Sequence, residues 1–539
     1  HNIVPSSVAP SKCPPAYFAG GRVRALSHSE IKELEQQFID GAVRVFKAGC
    51  DGVELHSSHG YLLQQFLSPV TNRRTDEYGG SLENRMRFIL NIIHGIKTEC
   101  GKNFPIIVRL TVDECYSMIG EPGKGYDLKT GVEIAKRLEQ AGVDAIDVSS
   151  AGYDTFNYWL EPTSFEPGWR KYMAKAVKEA VSIPVLAANL IRSPEQAEQQ
   201  LEEGDQDFVC LGRPQIADPY WTKKALEGGT IRRCICCLNC IESMQENAYI
   251  GSHGECSVNP FVGHEGEELI KNGGNLRILV AGAGPAGLIA SDILARRGFD
   301  VTVYEKNSTP GGQVSLAAVP PEKNKMGWFV EDAYKCCRED GVNFVFDQEL
   351  TVEIAKAERP YKVISAVGSS PARPNFPGNY SAENVCTAED ILSGRVSFES
   401  SSVAVIGSGM TGLETAHYLT EHGCSVKVVE MAGELAPGTW MQHKDDILPK
   451  LIKAGTEFMT GEKLCEIGNG FIVAENVKNG QKRRIDCDRV VLSLGSKPNK
   501  GFAEKLESAG ISIVSIGDSE KVGKIADATK RAYEVAVNL

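Results

Sequence analysis

The chain has 539 residues, of which 42% are hydrophobic and 24% charged, and its net charge at pH 7 is -12. That length predicts about three or four domains, and the acidic balance argues against a nucleic-acid partner. No apolar run reaches the roughly 20 residues that span a bilayer, and no basic segment with an apolar core opens the chain, so a cytoplasmic protein is expected.

Residues 27–230 read as alternating strands and helices. Ser27 and Glu30 form the capping-box pattern that opens a helix over 31–48. Short apolar strand segments follow at 52–55, 106–110, 145–148, 185–188 and 208–211. Amphipathic helices near 84–99, 130–141, 170–180 and 194–203 separate them. This alternation predicts a parallel sheet with helical crossovers. Five strands fit an open sheet or the last five staves of an eight-stranded barrel, and periodicity alone does not choose.

The first of these strands ends in DGVELHSSHGYLLQQFL. His56 and His59 are three residues apart, with Tyr61 two further on. In a barrel, that end of a strand carries the chemistry. Two imidazoles can grip a carbonyl oxygen on which negative charge develops, and a phenol can protonate the adjacent carbon. A histidine pair that merely caps a strand is the plain alternative. The following SPVTNRRTDEYGGSLENRMRF is polar and reads as an ordered loop before a helix.

Sixteen cysteines would suit a secreted disulfide scaffold only in a much shorter chain. Here they read as buried thiols in a reducing compartment plus one metal centre. Cys234, Cys237, Cys240 and Cys256 are spaced C-x2-C-x2-C-x15-C. Four thiolates so spaced surround either a zinc or a 4Fe–4S cluster. Cys236 breaks the register and is set aside. The segment is expected to need its metal for order, and the Gly-rich stretch from His264 to Asn275 reads as a linker.

At Leu276 a new pattern begins, LRILVAGAGPAGLIASDILARRGFDVTVYE, and it recurs as SVAVIGSGMTGLETAHYLTEHGCSVKVVE. Gly282 and Gly407 make the tight turn, Gly284 and Gly409 admit a pyrophosphate, and Gly287 and Gly412 let helix pack on strand. The helix N-terminus supplies N–H groups and a positive dipole end. Glu305 and Glu430, each 23 positions after the first glycine, suit a ribose. One such fingerprint is weak, but two in strand–turn–helix context are strong. Met431 to Glu434 include no cation for a 2′-phosphate, which favours NADH over NADPH. A metal centre ahead of two dinucleotide sites favours the cluster, because zinc would not pass electrons.

ELHSSHGYLLQQFLSP and TNRRTDEYGGSLENRMRF resemble the core of the Old Yellow Enzyme family, FMN-containing (β/α)8 barrels that reduce activated alkenes. Together with CICCLNC…CSVNP and the paired nucleotide units, nearly the whole chain resembles the multidomain branch of that family. The branch includes 2,4-dienoyl-CoA reductase, 2-enoate reductases and trimethylamine dehydrogenase.

The resemblance implies an α/β fold: a TIM barrel, an iron–sulfur segment, then two Rossmann-like domains. Its expected boundaries are 1–230 for the FMN barrel, 231–275 for the 4Fe–4S segment and linker, 276–395 with 505–539 for FAD, and 396–504 for NADH. Strands one to three would precede His1, making the five strands numbers four to eight. A barrel open at that edge exposes unpaired backbone, so this stretch is not expected to be a complete enzyme.

By the same resemblance, His56 and His59 bind the substrate carbonyl, Tyr61 donates the proton and Arg109 meets the FMN ring. Asn189, Gly212 and Arg213 would hold the FMN phosphate. Cys234, Cys237, Cys240 and Cys256 would ligate the cluster, across a longer last gap than the family pattern. Gly282, Gly284, Gly287, Glu305, Gly312, Gln313, Gly517 and Asp518 would hold FAD, and Gly407, Gly409, Gly412 and Glu430 would hold NADH. Tyr153 stands where some relatives carry a histidine that assists proton transfer.

The implied activity is NADH-dependent reduction of an alkene conjugated to a carbonyl, carboxylate or thioester, with electrons passing through FAD, cluster and FMN. The alternative is an amine dehydrogenase that sends electrons out to an acceptor protein. The expected partner is a small unsaturated molecule, not nucleic acid or membrane, with homo-oligomer formation left open.

Overall fold

The computed structural model describes residues 7–12, 23–378 and 384–539. It divides into two compact units: His1–Glu161 with Glu166–Gly212, and Pro162–Phe165 with Arg213–Leu539.

In the first unit, a short parallel pair, β1 (Ser7–Ala9) and β2 (Val23–Ala25), precedes helix α1 (His28–Lys47). Ser27 caps α1 as a capping box: its hydroxyl accepts from the Glu30 amide, and the Glu30 carboxylate accepts from the Ser27 amide at 2.8 Å. The helix therefore starts at His28, immediately after its cap, rather than at the first apolar residue. Next come β3 (Val53–Ser57), α2 (Leu62–Leu67), α3 (Leu82–Cys100), β4 (Ile106–Thr111) and α4 (Leu128–Gln140). They are followed by β5 (Ala145–Ser149), α5 (Lys171–Lys178), β6 (Val185–Ala187), α6 (Pro194–Glu202) and β7 (Phe208–Val209).

The sheet runs β3-β4-β5-β6-β7, every pair parallel. Strict chain order is the order of barrel staves; a doubly wound sheet reverses around its first strand. Leu55, Val108, Leu110, Ile146, Val148 and Val185 bury against the helices. Residues alternate along each strand, so Glu54, His56, Arg109 and Asp147 face the other side. The register sets His56 beside Arg109, and Arg109 beside Asp147.

The second unit begins with α7 (Arg213–Ala217), α8 (Trp221–Glu227) and α9 (Asn239–Asn247). The cysteine segment is fastened to the unit's core. Ile235 and Val258 are buried there, Arg232 pairs with Asp292 at 3.0 Å, and Arg233 pairs with Asp332 at 2.7 Å. Then β8 (Arg277–Ala281), α10 (Pro285–Arg296) and β9 (Asp300–Tyr304) open a parallel sheet in the order Asn343–Val345, β9, β8, Lys362–Ser365, Ile513–Ser515. The order reverses at β8, and the crevice at that switch point is where doubly wound sheets take ligands.

The chain leaves this sheet after Ser365 to build a second one and returns at Ile513. The second parallel sheet runs Val385–Thr387, Arg489–Leu492, Ser402–Ile406, Ser425–Glu430, Glu457–Thr460, with an antiparallel trio over Glu462–Gly468, Phe471–Asn476 and Lys482–Asp486. At the two crossings, Ser369–Pro371 pairs antiparallel with Ser496–Pro498.

Candidate active site and cofactor sites

The turn after β3 carries the first site. His59 and Gly60 both have positive φ, 61° and 78°, which turns the chain sharply before α2. A Cβ at Gly60 would press into the Tyr153 ring. The His59 amide donates to Thr111 Oγ1 at 3.2 Å, and its Nε2 meets Ser149 Oγ at 2.6 Å, so the ends of β4 and β5 fix the imidazole. Its ring stacks on Trp159. His56 lies 5.1 Å from both His59 and Tyr61, centroid to centroid, and Tyr61 meets Tyr153 edge-on at 5.8 Å. Tyr61 caps α2 and keeps 45% of its surface exposed.

Burial, and then the charge of Arg109, push the His56 pKa below its usual value. The same two causes, joined by His56 and Arg170, push His59 down to about 2. Both imidazoles are therefore neutral at ordinary pH. Asp147 faces Arg109 at 3.3 Å, yet burial lifts its carboxyl to about 6.

Among the described residues, the buried Arg109 Nε, Asp147 Oδ1 and Asn189 Oδ1 have no hydrogen-bond partner, although Arg109 Nε lies 3.3 Å from Asp147 Oδ2. Orphaned buried atoms are rare, and a group of them at the C-terminal ends of parallel strands suits a polar ligand such as a flavin. Asn189 is fully buried, and its amide donates to Gln200 Oε1 at 3.2 Å. Gly212 closes this unit, with open space where a side chain would project. Arg213 opens the second unit.

Glu114 was not foreseen. It is buried, accepts from the Tyr126 amide at 2.8 Å and from Ser68 Oγ at 3.1 Å, and meets Gln64 Nε2 at 3.5 Å. Gln64 Oε1 in turn accepts from the Gly60 amide. Glu114 and Gln64 thus brace the turn between His59 and Tyr61. Burial raises the Glu114 carboxyl to about 7. Nothing in the sequence marks it, because only the fold brings Gln64, Ser68 and Tyr126 to it.

In the second unit, Cys234, Cys237, Cys240 and Cys256 line one small pocket with Arg213 and Ser257. Cys236 is buried and does not line it. Among the described residues, no three His, Cys, Asp or Glu side chains converge to hold a single metal ion.

The two glycine loops share one geometry. A Cβ at Gly287 would collide with the Gly282 carbonyl oxygen, and one at Gly412 with that of Gly407. At Gly284 and Gly409 there is open space, as an approaching pyrophosphate needs. Glu305 accepts from the Ala283 amide at 2.8 Å and Glu430 from the Ser408 amide at 2.8 Å, so each carboxylate also pins its glycine loop. Ser408 adds a hydroxyl bond to Glu430 at 2.8 Å that Ala283 cannot supply.

Around the first loop, Gly312 packs on Gly284, and Gly517 packs on Ala286. Gln313 Nε2 donates to Ser369 Oγ at 2.9 Å, which donates to Asp518 Oδ2 at 3.1 Å. Ser369, the link between Gln313 and Asp518, carries no sequence signal.

Residues 5–230 match the NADH:flavin oxidoreductase / NADH oxidase family, and residues 276–519 match the pyridine nucleotide-disulphide oxidoreductases. An NADH oxidase of Thermoanaerobacter brockii is 41% identical, covering 98% of this chain and 81% of its own length. A cinnamate reductase of Clostridium sporogenes is 33% identical, covering 99% and 81%. Among solved structures, a complex of 2-naphthoyl-CoA reductase with 2-naphthoyl-CoA superposes with a TM-score of 0.90 at 28% identity, covering 99% of this chain and 80% of that one. Histamine dehydrogenase from Rhizobium sp. 4-9 gives 0.88 at 29% identity, with 99% and 80% covered. The chain belongs to the multidomain, Old Yellow Enzyme-like NADH:flavin oxidoreductases, a family of NADH-dependent flavoenzymes.

Proposed function

We propose that this protein is an NADH-dependent ene-reductase that reduces the C=C bond of an α,β-unsaturated carbonyl, carboxylate or thioester. One observation carries the reading: two neutral imidazoles and a partly exposed phenol meet at the end of β3, beside Arg109.

FMN, FAD and a 4Fe–4S cluster are the cofactors this reading requires, with NADH as reductant. Arg109, Asn189 and Gly212 would hold FMN; the unpartnered polar atoms of Arg109 and Asn189, and the open space at Gly212, suit it. The four cysteines would hold the cluster: four thiols lining one pocket are the donor set that a 4Fe–4S centre takes. Gly282, Gly284, Gly287, Glu305, Gly312, Gln313, Gly517 and Asp518 would hold FAD. Gly407, Gly409, Gly412 and Glu430 would hold NADH. We assign the matching domains to 1–230, 231–275, 276–395 with 505–539, and 396–504. When bound, these groups supply hydride and single-electron transfer between NADH and the alkene.

The protein's own residues do the rest. His59 is fixed through Nε2 by Ser149, which leaves Nδ1 for a substrate oxygen. His56 offers the second contact. Being neutral, both polarise the oxygen by hydrogen bonding rather than by giving it a proton. Tyr61 protonates the carbon next to the carbonyl, and Tyr153 packs against it.

The rival reading has an amine reduce the flavin and electrons leave to an acceptor protein. It draws on the likeness to histamine dehydrogenase. The Gly407 loop, shaped like the Gly282 loop, speaks for a nucleotide donor instead. Tyr61→Phe is the test. NADH should still bleach the flavins anaerobically, while alkene reduction drops about 100-fold or more, within the usual range for a general acid. Equal loss of both activities would sink the assignment.

A further inference from the structure

Gly60 stands between the buried imidazole of His59 and the phenol of Tyr61, and side chains of α2 hold the peptides on both sides of it. Its amide donates to Gln64 Oε1, and its carbonyl oxygen accepts from Gln65 Nε2 at 2.8 Å. With φ at 78°, the turn at Gly60 sets where Tyr61 stands relative to His59.

Gln64 can serve the Gly60 amide only with its carbonyl oxygen facing it. A side-chain amide can turn over, and its partners choose the orientation. On its other side, Gln64 Nε2 meets Glu114 Oε1 at 3.5 Å and donates to the Tyr126 hydroxyl, which itself donates to the Thr111 carbonyl oxygen at 2.8 Å. Glu114 Oε2 accepts from the Tyr126 amide and from Ser68 Oγ, so Oε1 is the oxygen that faces Gln64. Gln64, Ser68, Glu114 and Tyr126 are all buried, where a donor set against a donor is costly.

We propose that Glu114 and Gln64 are positioning residues for proton delivery: Glu114 orients the Gln64 amide, and Gln64 holds the Gly60 turn so that the Tyr61 hydroxyl stands at the carbon next to the substrate carbonyl. The inference rests on the ene-reductase reading above. The step served is transfer of the Tyr61 hydroxyl proton to that carbon. Hydride originating from NADH reaches the other alkene carbon, and the phenolate regains its proton from solvent. His59 does not share the dependence, because Thr111 holds its amide while Ser149 and Trp159 hold its ring. Loss of the link therefore acts on proton delivery and little on alkene binding.

The test uses the purified holoenzyme as wild type, Gln64→Leu, Glu114→Gln and the double variant Gln64→Glu with Glu114→Gln, with cinnamate and 2-cyclohexenone as probes. Measurement at about pH 8.5, above the raised Glu114 pKa of about 7, keeps the wild-type carboxylate ionised. Gln64→Leu removes the acceptor for the Gly60 amide. Glu114→Gln sets one NH2 group against another and turns Gln64 over. In the double variant the amide donates from position 114, and the carboxylate at position 64 accepts from it and from Gly60, so the bonds close with their direction reversed.

In both single variants the Gly60 amide should exchange with deuterium about tenfold or more faster, read on the peptide spanning residues 56–66. Reoxidation of the reduced flavins by saturating probe should slow about tenfold or more. The half-saturating probe concentration and the rate of flavin reduction by NADH should change by no more than about twofold. The double variant should recover most of both losses. In a Tyr61→Phe background, Glu114→Gln should slow reoxidation by no more than about twofold further, since the proton donor it places is gone.

An unchanged reoxidation rate in Glu114→Gln overturns the proposal, whatever the exchange at Gly60. So does a slowed Glu114→Gln that the second substitution fails to rescue, or one whose loss multiplies with that of Tyr61→Phe, since either marks general damage. Should Gln64→Leu fail to fold, Glu114→Gln and its rescue decide. Reduced wild-type flavins that neither probe reoxidises remove the ene-reductase reading and this inference with it, and full-rate reoxidation in Tyr61→Phe removes the Tyr61 assignment in the same way.

Discussion

His59 lies flat against Trp159, with ring centroids 4.1 Å apart and planes at 23°. The indole covers one face of the imidazole, and Ser149 takes its Nε2. This packing is why burial dominates the fall of its pKa to about 2.

A stability consequence follows. Above about pH 6.5, His59 is neutral in folded and unfolded chains alike, so the shift costs nothing. Below that, the unfolded chain takes a proton that the folded chain refuses, and stability falls as pH drops. The loss by pH 5 is about 2 kcal/mol. Urea midpoints at pH 7 and pH 5, compared between wild type and His59→Gln, isolate it: going from pH 7 to pH 5, wild type should lose about 2 kcal/mol relative to the variant. Trp159→Ala should destabilise by on the order of 2 kcal/mol, below the figure for a fully buried tryptophan, and raise KM for the unsaturated substrate more than it lowers flavin reduction.

Glu114 has the opposite pH dependence. Its folded pKa is raised from 4.5 to about 7 by burial. Below about pH 4.5 the carboxyl is protonated in both states. As pH rises toward 7, the unfolded chain ionises and the folded chain does not, and stability falls by roughly 3 kcal/mol. Glu114→Gln removes that dependence, so its unfolding midpoint should fall less than wild type's between pH 5 and pH 7.

The glycine loops separate folding from binding. Gly412→Ala drives a methyl group into the Gly407 carbonyl and should unfold or strongly destabilise the second nucleotide sheet. Gly409→Ala meets no protein atom, so the fold should persist. Its methyl group occupies the approach to a pyrophosphate, and KM for NADH should rise about tenfold or more. Circular dichroism and NADH titration, run on both variants, distinguish these outcomes.

The strands were largely readable because their apolar runs are buried. The segments at 106–110 and 145–148 became β4 and β5 with one residue added at the C-terminal end of each. The last strand shrank to Phe208–Val209, and Phe208 is 57% exposed. Whether the sheet was open or part of a barrel was not readable, because pairing order leaves no trace in periodicity. The stack of Trp159 on His59 was hidden for a related reason. The two residues are 100 positions apart, and only strand register brings their loops together. Glu305 and Glu430 stood out at the strand ends as ribose partners. Their bonds to Ala283 and Ser408 emerged only from the folded turn, where a carboxylate meets the amides of a glycine loop.

The central claim is reduction of a conjugated alkene at the expense of NADH. The most direct measurement is anaerobic turnover of the holoenzyme with NADH and a panel of α,β-unsaturated acids, thioesters and ketones, following NADH loss and saturated product together. The account predicts one saturated product per NADH for at least one member of the panel, with no oxygen present. Flavins that stay oxidised in NADH but are bleached by an amine would contradict it.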